Sequence, residues 1–141
     1  MQLQHTFIFK IIMKKIILIF AILFSTTMLS SSSFAEWKFL TSTVSGDNIF
    51  IDNNRIRKHD GYVYFWVLED LLKPDQDGDL SYINYFQGDC NLFRYKHLSA
   101  SYYKQAMGQG TVKNLSAENP KWKNTISGSV MEDNFKFVCG M

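Results

Sequence analysis

The chain of 141 residues carries 15 basic and 13 acidic side chains, a formal net charge of +2. Residues 1–35 contain three of the lysines and no acidic residue, so residues 36–141 hold 12 bases against 13 acids. This near-neutral balance lacks the electrostatic footprint of a nucleic-acid binder, and a segment of this length builds one hydrophobic core rather than two.

Residues 1–35 have the pattern of a signal peptide. A basic segment, an apolar run and a small-x-small site follow one another at 13–15, 16–24 and 33–35, and we expect cleavage between Ala35 and Glu36. Translation starting at Met13 would give a complete signal. The alternative, an uncleaved anchor, needs an apolar run of about 20 residues. With no cysteine at the cleavage site to carry a lipid, we expect an exported protein without lipid anchor or membrane span, in the periplasm or at the cell surface.

Cys90 and Cys139 are the only cysteines. Because an exported protein meets an oxidising compartment, we expect them to form a disulfide. The alternative is two free, buried thiols. In the chain-entropy model, closing a loop of about 50 residues stabilises the fold by about 4 kcal/mol.

Residues 36–141 are predicted to form a single domain that consists mainly of β-strands. Alternating or continuous runs of apolar and β-branched residues predict strands at 36–40, 48–52, 62–68, 80–87, 92–103 and 111–112. The run 62–68 is apolar on both faces and is expected to be a central strand. In the strand 92–103 the apolar side changes, which predicts a β-bulge near His97.

The segments between these strands are predicted turns and loops. A turn or a single helical turn is expected at 52–56, a reverse turn at 58–61, an acidic loop at 73–79, a turn or bulge at 89–91, a glycine turn at 107–110 and a loop at 113–120. Trp122 is expected to lead into the last element.

Residues 126–139 predict an amphipathic helix. Ser129 and Glu132 have the spacing of a capping box, and Gly140 supplies the end of the helix. The apolar side chains that follow the cap share one stripe, and they are Met131, Phe135, Val138 and Cys139. Strands in succession with one terminal helix predict the α+β class, an antiparallel sheet with the helix packed on one face.

The acidic loop has part of the spacing of a calcium-binding loop. Asp75, Asp77, Asp79 and Ser81 occupy alternate positions, as in an EF-hand. The required glycine and the final bidentate glutamate are replaced by Leu80 and Phe86, so a solvated turn is the preferred interpretation. No metal or cofactor is predicted.

No constellation in residues 36–141 predicts catalysis. His59 and His97 stand apart from any motif, and Ser99 and Ser101 lack a nucleophile-elbow signature. Adjacent carboxylates on a strand, such as Glu69 and Asp70, point to opposite faces. The pair Gly108 and Gly110 is too short for a phosphate loop. A non-enzymatic protein is therefore expected, without catalytic residues.

The aromatic side chains are candidates for a recognition surface. Amphipathic rings suit such surfaces, although most rings of a small sheet serve its core and cross-strand pairs. Arg94 and Lys96 share one strand face, where they could meet an acidic partner or pair with Glu69.

The chain resembles the surface-adhesin protein E family of Gram-negative bacteria. The resemblance spans residues 36–141 in order, and its landmarks are Trp37, Ile51-Asp52, the run 63–68, Ser81, Asp89-Cys90, Arg94, Tyr102, Met107-Gly108-x-Gly110, Trp122, Ser127-Gly128-Ser129 and Val138-Cys139. It implies a curved antiparallel sheet of about six strands, with the helix held to the concave face by a Cys90–Cys139 disulfide. It implies no catalytic residues. The best-known member is an outer-membrane lipoprotein that binds host matrix components and forms dimers, whereas this chain has no lipidation cysteine.

We therefore expect an exported envelope protein that binds another protein, either as a monomer or as a homodimer. The alternative is a periplasmic structural or assembly component without adhesin activity. If the helix covers one face of the sheet, the binding surface lies on the other face, on the sheet edges or on the acidic loop at 73–79.

Overall fold

The computed structural model describes Met13 and residues 35–140, and the predicted signal peptide otherwise lies outside the described residues. Residues 35–140 form a β-sheet followed by one α-helix. The elements are β1 (Trp37–Ser42), β2 (Asn48–Asp52), β3 (Arg57–His59), β4 (Tyr62–Asp70), β5 (Ser81–Asp89), β6 (Arg94–Gln105), β7 (Gln109–Ser116), β8 (Lys123–Asn124) and α1 (Val130–Cys139). Within the described part of the chain, no helix has the length and apolar character to cross a bilayer.

All strand pairs of the sheet are antiparallel. The order is β1-β2-β4-β5-β6-β7, with the short strands β3 and β8 added beside β4 and β6. The predicted α+β class is confirmed, and β4 is the central strand that its apolar sequence indicated. The sheet has eight strands because β3 and β8, both short and exposed, add to the six of the main path.

Parts of two predicted irregular segments are strands. Residues 113–116 belong to β7, and residues 57–59 form β3, so the loop at 113–120 and the turn at 58–61 were predicted too long. Every residue of β7 is exposed. An edge strand of this kind has no buried side, so it lacks the alternation of apolar and polar residues by which strands are detected.

The predicted bulge is confirmed. Tyr85 lies opposite Ser99, and the next residue Phe86 lies opposite His97, so Leu98 is the extra residue of β6. The bulge reverses the sidedness of the strand, and His97 and Ser99 consequently point to opposite faces of the sheet.

Helix α1 ends where its sequence indicated and follows the predicted cap Ser129, so it begins four residues later than the predicted range 126–139. The Ser129 hydroxyl accepts a hydrogen bond from the Glu132 backbone N–H, and Gly140 ends the helix in the left-handed conformation with φ 75°. The capping box is displaced by one residue, because the Glu132 carboxylate accepts from the Gly128 N–H at 2.7 Å rather than from the N-cap residue. A backbone hydrogen bond to the Glu132 carboxylate keeps its pKa below the ordinary value.

The core lies between α1 and one face of the sheet, here called the inner face. Phe135 and Val138 of the helix pack with buried side chains of β2, β4 and β5, namely Ile49, Ile51, Val63, Phe65, Val67 and Phe86. Gly88 makes room for the helix, because a Cβ atom there would lie 3.0 Å from Phe135 Cζ and 3.0 Å from Val63 Cγ1. The last residue of α1, Cys139, is bonded to Cys90 directly after β5, with Cα atoms 5.8 Å apart.

Candidate functional site

The face of the sheet opposite α1, here called the outer face, carries a row of aromatic side chains. Tyr64 and Trp66 of β4 alternate with the buried residues of the inner face, and Trp66 lies opposite Tyr85 of β5. The rings of Trp66 and Tyr85 stack with centroids 4.2 Å apart, and Tyr64 lies 6.3 Å from Tyr85. All three residues are partly exposed.

Arg55 extends this row toward the first strand. Its guanidinium carbon lies 5.1 Å from the centroid of the Trp66 ring and 6.0 Å from that of Trp37. The residue comes from a short 3-10 turn (Asn53–Arg55), and the buried Asp52 at the start of that turn accepts hydrogen bonds from the Asn54 N–H and from Arg55 Nε. We call Trp37, Arg55, Trp66, Tyr85 and Tyr64 the aromatic row.

One end of the outer face is covered by Trp122. This ring lies 5.4 Å from the Tyr62 ring, 4.6 Å from the Arg94 guanidinium and 4.8 Å from the Lys96 ammonium. Contacts of a cation with the face of a tryptophan are attractive. Trp122 was predicted to lead into the helix, and instead it packs on the opposite face of the sheet.

The other end of the outer face is covered by a 3-10 turn (Ala106–Gly108). Its backbone is fixed by two hydrogen bonds, from the Met107 N–H to Asp70 Oδ1 at 2.5 Å and from the Gly108 N–H to Ser81 Oγ at 2.8 Å. A Cβ atom on Gly108 would lie 2.8 Å from Ile83 Cδ1, so the close approach requires glycine. The turn leaves the aromatic row open between its two covers.

The two histidines of residues 35–140 lie in different environments. His59 is exposed on β3, with Nε2 3.0 Å from Asp60 Oδ2. His97 lies against Phe86 on the inner face, and burial lowers its pKa. Because the bulge at Leu98 turns Ser99 to the outer face, the described residues bring no serine hydroxyl and histidine together from this segment.

The acidic loop is bound to β6 by a lysine. Carboxylate oxygens of Asp75, Asp77 and Asp79 lie within 4.8 Å of one another. Lys104 Nζ lies 2.8 Å from Asp79 Oδ1 and donates to the Asp77 carbonyl at 2.7 Å, while Tyr82 donates to Asp75 at 2.7 Å and thereby lowers the pKa of that carboxyl. The loop thus has a cation of its own, which favours its interpretation as a turn.

The predicted contact of Arg94 or Lys96 with Glu69 is wrong. Arg94 Nε is paired with Asp89 Oδ2 at 3.1 Å. Glu69 lies opposite Tyr82, on the inner face and toward the other end of the sheet, and Asp70 points to the outer face as the strand alternation predicted.

Glu69 is expected to lower the stability of the fold near neutral pH. Burial raises its pKa above the ordinary value of 4.5, and the charge of Asp47 adds to the shift. When a carboxyl has a higher pKa in the folded than in the unfolded state, the fold becomes less stable as pH increases through that folded-state pKa. We therefore expect Glu69→Gln to raise Tm at about pH 7 and to leave it unchanged at about pH 4, as measured by circular dichroism.

The matched control for this measurement is Glu118→Gln, a change of the same kind at an exposed residue. It should leave Tm unaltered at both pH values. Equal effects of Glu69→Gln at the two pH values would contradict the expected linkage.

The sequence did not indicate Arg55 or Trp122 as members of this surface. Their contacts depend on strand register and on the path of a turn, and only the sequence Asp52-Asn53-Asn54, which favours a turn, pointed to the first of them.

Comparison with known proteins agrees with this architecture. The profile of the family described as surface-adhesin protein E matches residues 37–140. The chain belongs to this family. Membership favours a non-enzymatic, adhesin-like protein. A search of curated proteins found no match.

Solved structures of protein E from Haemophilus influenzae are similar to this chain in fold. Its crystal form II superposes with a TM-score of 0.57 at 15% identity, covering 72% of this chain and 87% of that chain. Protein E from a non-typeable strain superposes with a TM-score of 0.55 at 13% identity, covering 78% of this chain and 79% of that chain. The profile match confirms the family resemblance, and these structures show the same fold.

Proposed function

We propose that this protein is an exported, non-enzymatic envelope protein that binds another protein through the outer face of its sheet. Export is inferred from the signal-peptide pattern of residues 1–35, with cleavage after Ala35. Family membership supports an adhesin-like function. The observation that carries the proposal is the stacked pair Trp66 and Tyr85 beneath the Arg55 guanidinium.

This arrangement has the composition of a binding hot spot. Tryptophan, tyrosine and arginine dominate the energetics of protein interfaces, and aromatic rings are enriched at their centres. The inner face is unsuited to the same task, because α1 covers its apolar residues. The aromatic residues of the row are partly exposed, so a partner would bury apolar area that the fold itself leaves accessible.

The test is capture of envelope proteins by the disulfide-bonded domain of residues 36–141. We expect Trp66→Ala combined with Tyr85→Ala to weaken capture by about 30-fold or more, because truncating a hot-spot residue costs about 2 kcal/mol. The captured protein is identified by mass spectrometry, and its affinity is then measured by calorimetry for each variant.

The matched control is Leu72→Ala combined with Leu92→Ala, which removes two exposed apolar side chains outside the outer face. This variant should capture as well as the unaltered domain. Near-UV circular dichroism ensures that every variant is compared in its folded form. Equal capture by the outer-face variant and the control would refute binding through this face.

A protease experiment on intact cells separates surface adhesion from a periplasmic role. Cleavage of the protein in intact cells is expected for a surface adhesin. Complete protection until the outer membrane is permeabilised would favour the structural or assembly component without adhesin activity. Mass spectrometry of the same material is expected to show an N-terminus at Glu36.

A further inference from the structure

The charges of the domain are separated along the strands of the sheet. The end at which β4 begins and β5 ends is basic, with Arg57, Lys58, Arg94, Lys96 and Lys123 against Asp60 and Asp89. The end at which β4 finishes is acidic, with Asp47, Glu69, Asp70, Asp75, Asp77 and Asp79 against Lys73, Lys104 and Lys113. A near-neutral domain therefore presents two ends of opposite sign.

Four side chains form a straight row across the outer face at the basic end. The strand registers place Arg57 opposite Tyr64, Tyr64 opposite Gln87, and Gln87 opposite Lys96. The row crosses β3, β4, β5 and β6, so its two cations are separated by about 14 Å, three strand spacings. A ring and an amide lie between them.

The two cations of this row have no carboxylate partner within 4.0 Å among residues 35–140, whereas two arginines beside them do. Arg55 is paired with the buried Asp52, and Arg94 with the buried Asp89. Arg57 donates only to the carbonyls of Asn54 and Ile56. The Lys96 ammonium is held 4.8 Å from the centroid of the Trp122 ring, a contact that leaves its charge uncompensated.

We propose that the partner presents an acidic segment with apolar or aromatic side chains, which crosses β3 to β6 on the outer face and pairs its carboxylates with Arg57 and Lys96. This inference rests on the proposed function and specifies its ligand. The carboxylates are complementary to the two unpaired cations, and side chains between them contact Tyr64 and the adjacent stacked pair of Trp66 and Tyr85.

The same geometry disfavours a sulfated polysaccharide. A polyanion gains affinity from each cation that displaces its counterions. The outer face offers two unpaired cations about 14 Å apart, with a ring and an amide between them, instead of a continuous basic stripe. Mixed acidic and apolar chemistry, which a polypeptide segment supplies, fits the row better.

The experiment uses a random-peptide phage library selected on the disulfide-bonded domain of residues 36–141. We expect the selected peptides to be enriched in Asp and Glu together with aromatic or aliphatic residues. Arg57→Glu combined with Lys96→Glu should raise the Kd of a synthetic selected peptide by about tenfold or more, and added salt should weaken binding to the unaltered domain.

The matched control is Lys73→Glu combined with Lys113→Glu, the same change of charge at two exposed lysines of the acidic end. It should leave the Kd unchanged. Equal weakening by the two charge-reversed variants would overturn the inference, since it would show a general effect of net charge rather than a site.

The other outcomes separate this inference from the proposed function. Peptides without acidic enrichment, whose binding is lost in Trp66→Ala combined with Tyr85→Ala, would overturn the acidic ligand and retain protein binding through the outer face. Peptides that depend on neither variant, or no selected peptides, would overturn both. Two further results would overturn the inference if Arg57→Glu with Lys96→Glu abolished them. Binding of heparin but not of acidic peptides would assign the row to a polysaccharide. Self-association in sedimentation would assign it to a second copy of the chain.

Discussion

Replacing Cys90 and Cys139 together by alanine is expected to lower the free energy of unfolding by about 4 kcal/mol. The disulfide joins residues separated by 49 positions and closes a loop that contains β6, β7, β8 and α1. Without it the unfolded chain gains the entropy of an open loop. Because small domains have total stabilities of about 5–15 kcal/mol, this is a large share. Urea denaturation followed by tryptophan fluorescence measures the change.

Reduction of the unaltered domain by dithiothreitol provides an independent comparison. It should produce the same loss as the double replacement, since both open the same loop. Ser116→Ala combined with Ser127→Ala, at two exposed residues of the same loop, serves as the control for double replacement. A loss below about 1 kcal/mol in the cysteine variant would contradict this expectation. It would show that noncovalent contacts of α1, in the native or in the unfolded chain, replace the constraint of the disulfide.

Sequence patterns predicted the parts of the fold that have one buried side. β2, β4 and β5 carry alternating or continuous apolar residues, and α1 has both a cap and an apolar stripe. These features arise from local chain geometry and from burial against a single core. Because Cys90 and Cys139 can pair only with each other within the chain, the sequence also predicted where the helix lies on the sheet.

Sequence patterns predicted the edge strands and the contacts of the outer face less well. β7 has no buried side, so its residues show no alternation. The contact of Arg55 with Trp66 joins residues from a turn and a neighbouring strand. Predicting such contacts requires knowledge of the register of β2 with β4. This register depends on the energy of the whole sheet rather than on a local sequence pattern.

The charge of the domain was predictable from the sequence, but its distribution over the surface was not. The near-neutral total was visible in the sequence, and it excluded a nucleic-acid binder on composition. The separation into a basic and an acidic end appears only when the antiparallel strands align Arg57 and Lys96 at one end of the sheet and Glu69 with the acidic loop at the other. A near-neutral domain can therefore present a directed electrostatic surface to a partner.

Replacing Phe135 by alanine is expected to lower the free energy of unfolding by about 3–5 kcal/mol. Phe135 is fully buried, and its ring packs edge-on against Phe65 at 6.1 Å and lies 5.2 Å from Phe93. Gly88, which lies against the ring, has no side chain of its own that could fill the space. The truncation thus leaves a cavity between α1 and the inner face.

Phe137→Ala is the matched control, because it removes the same ring from the same helix at a half-buried position. The Phe137 ring lies 4.8 Å beneath the Lys38 ammonium, at the side of the core rather than within it. We expect this variant to lose less than about 1.5 kcal/mol in urea denaturation. Equal losses in the two variants would mean that α1 is stabilised by its general contact with the sheet. A large loss in Phe135→Ala alone would show that the packing of this one side chain over Gly88 contributes much of the stability of the domain. The disulfide would then serve to hold the helix close enough for that packing to form.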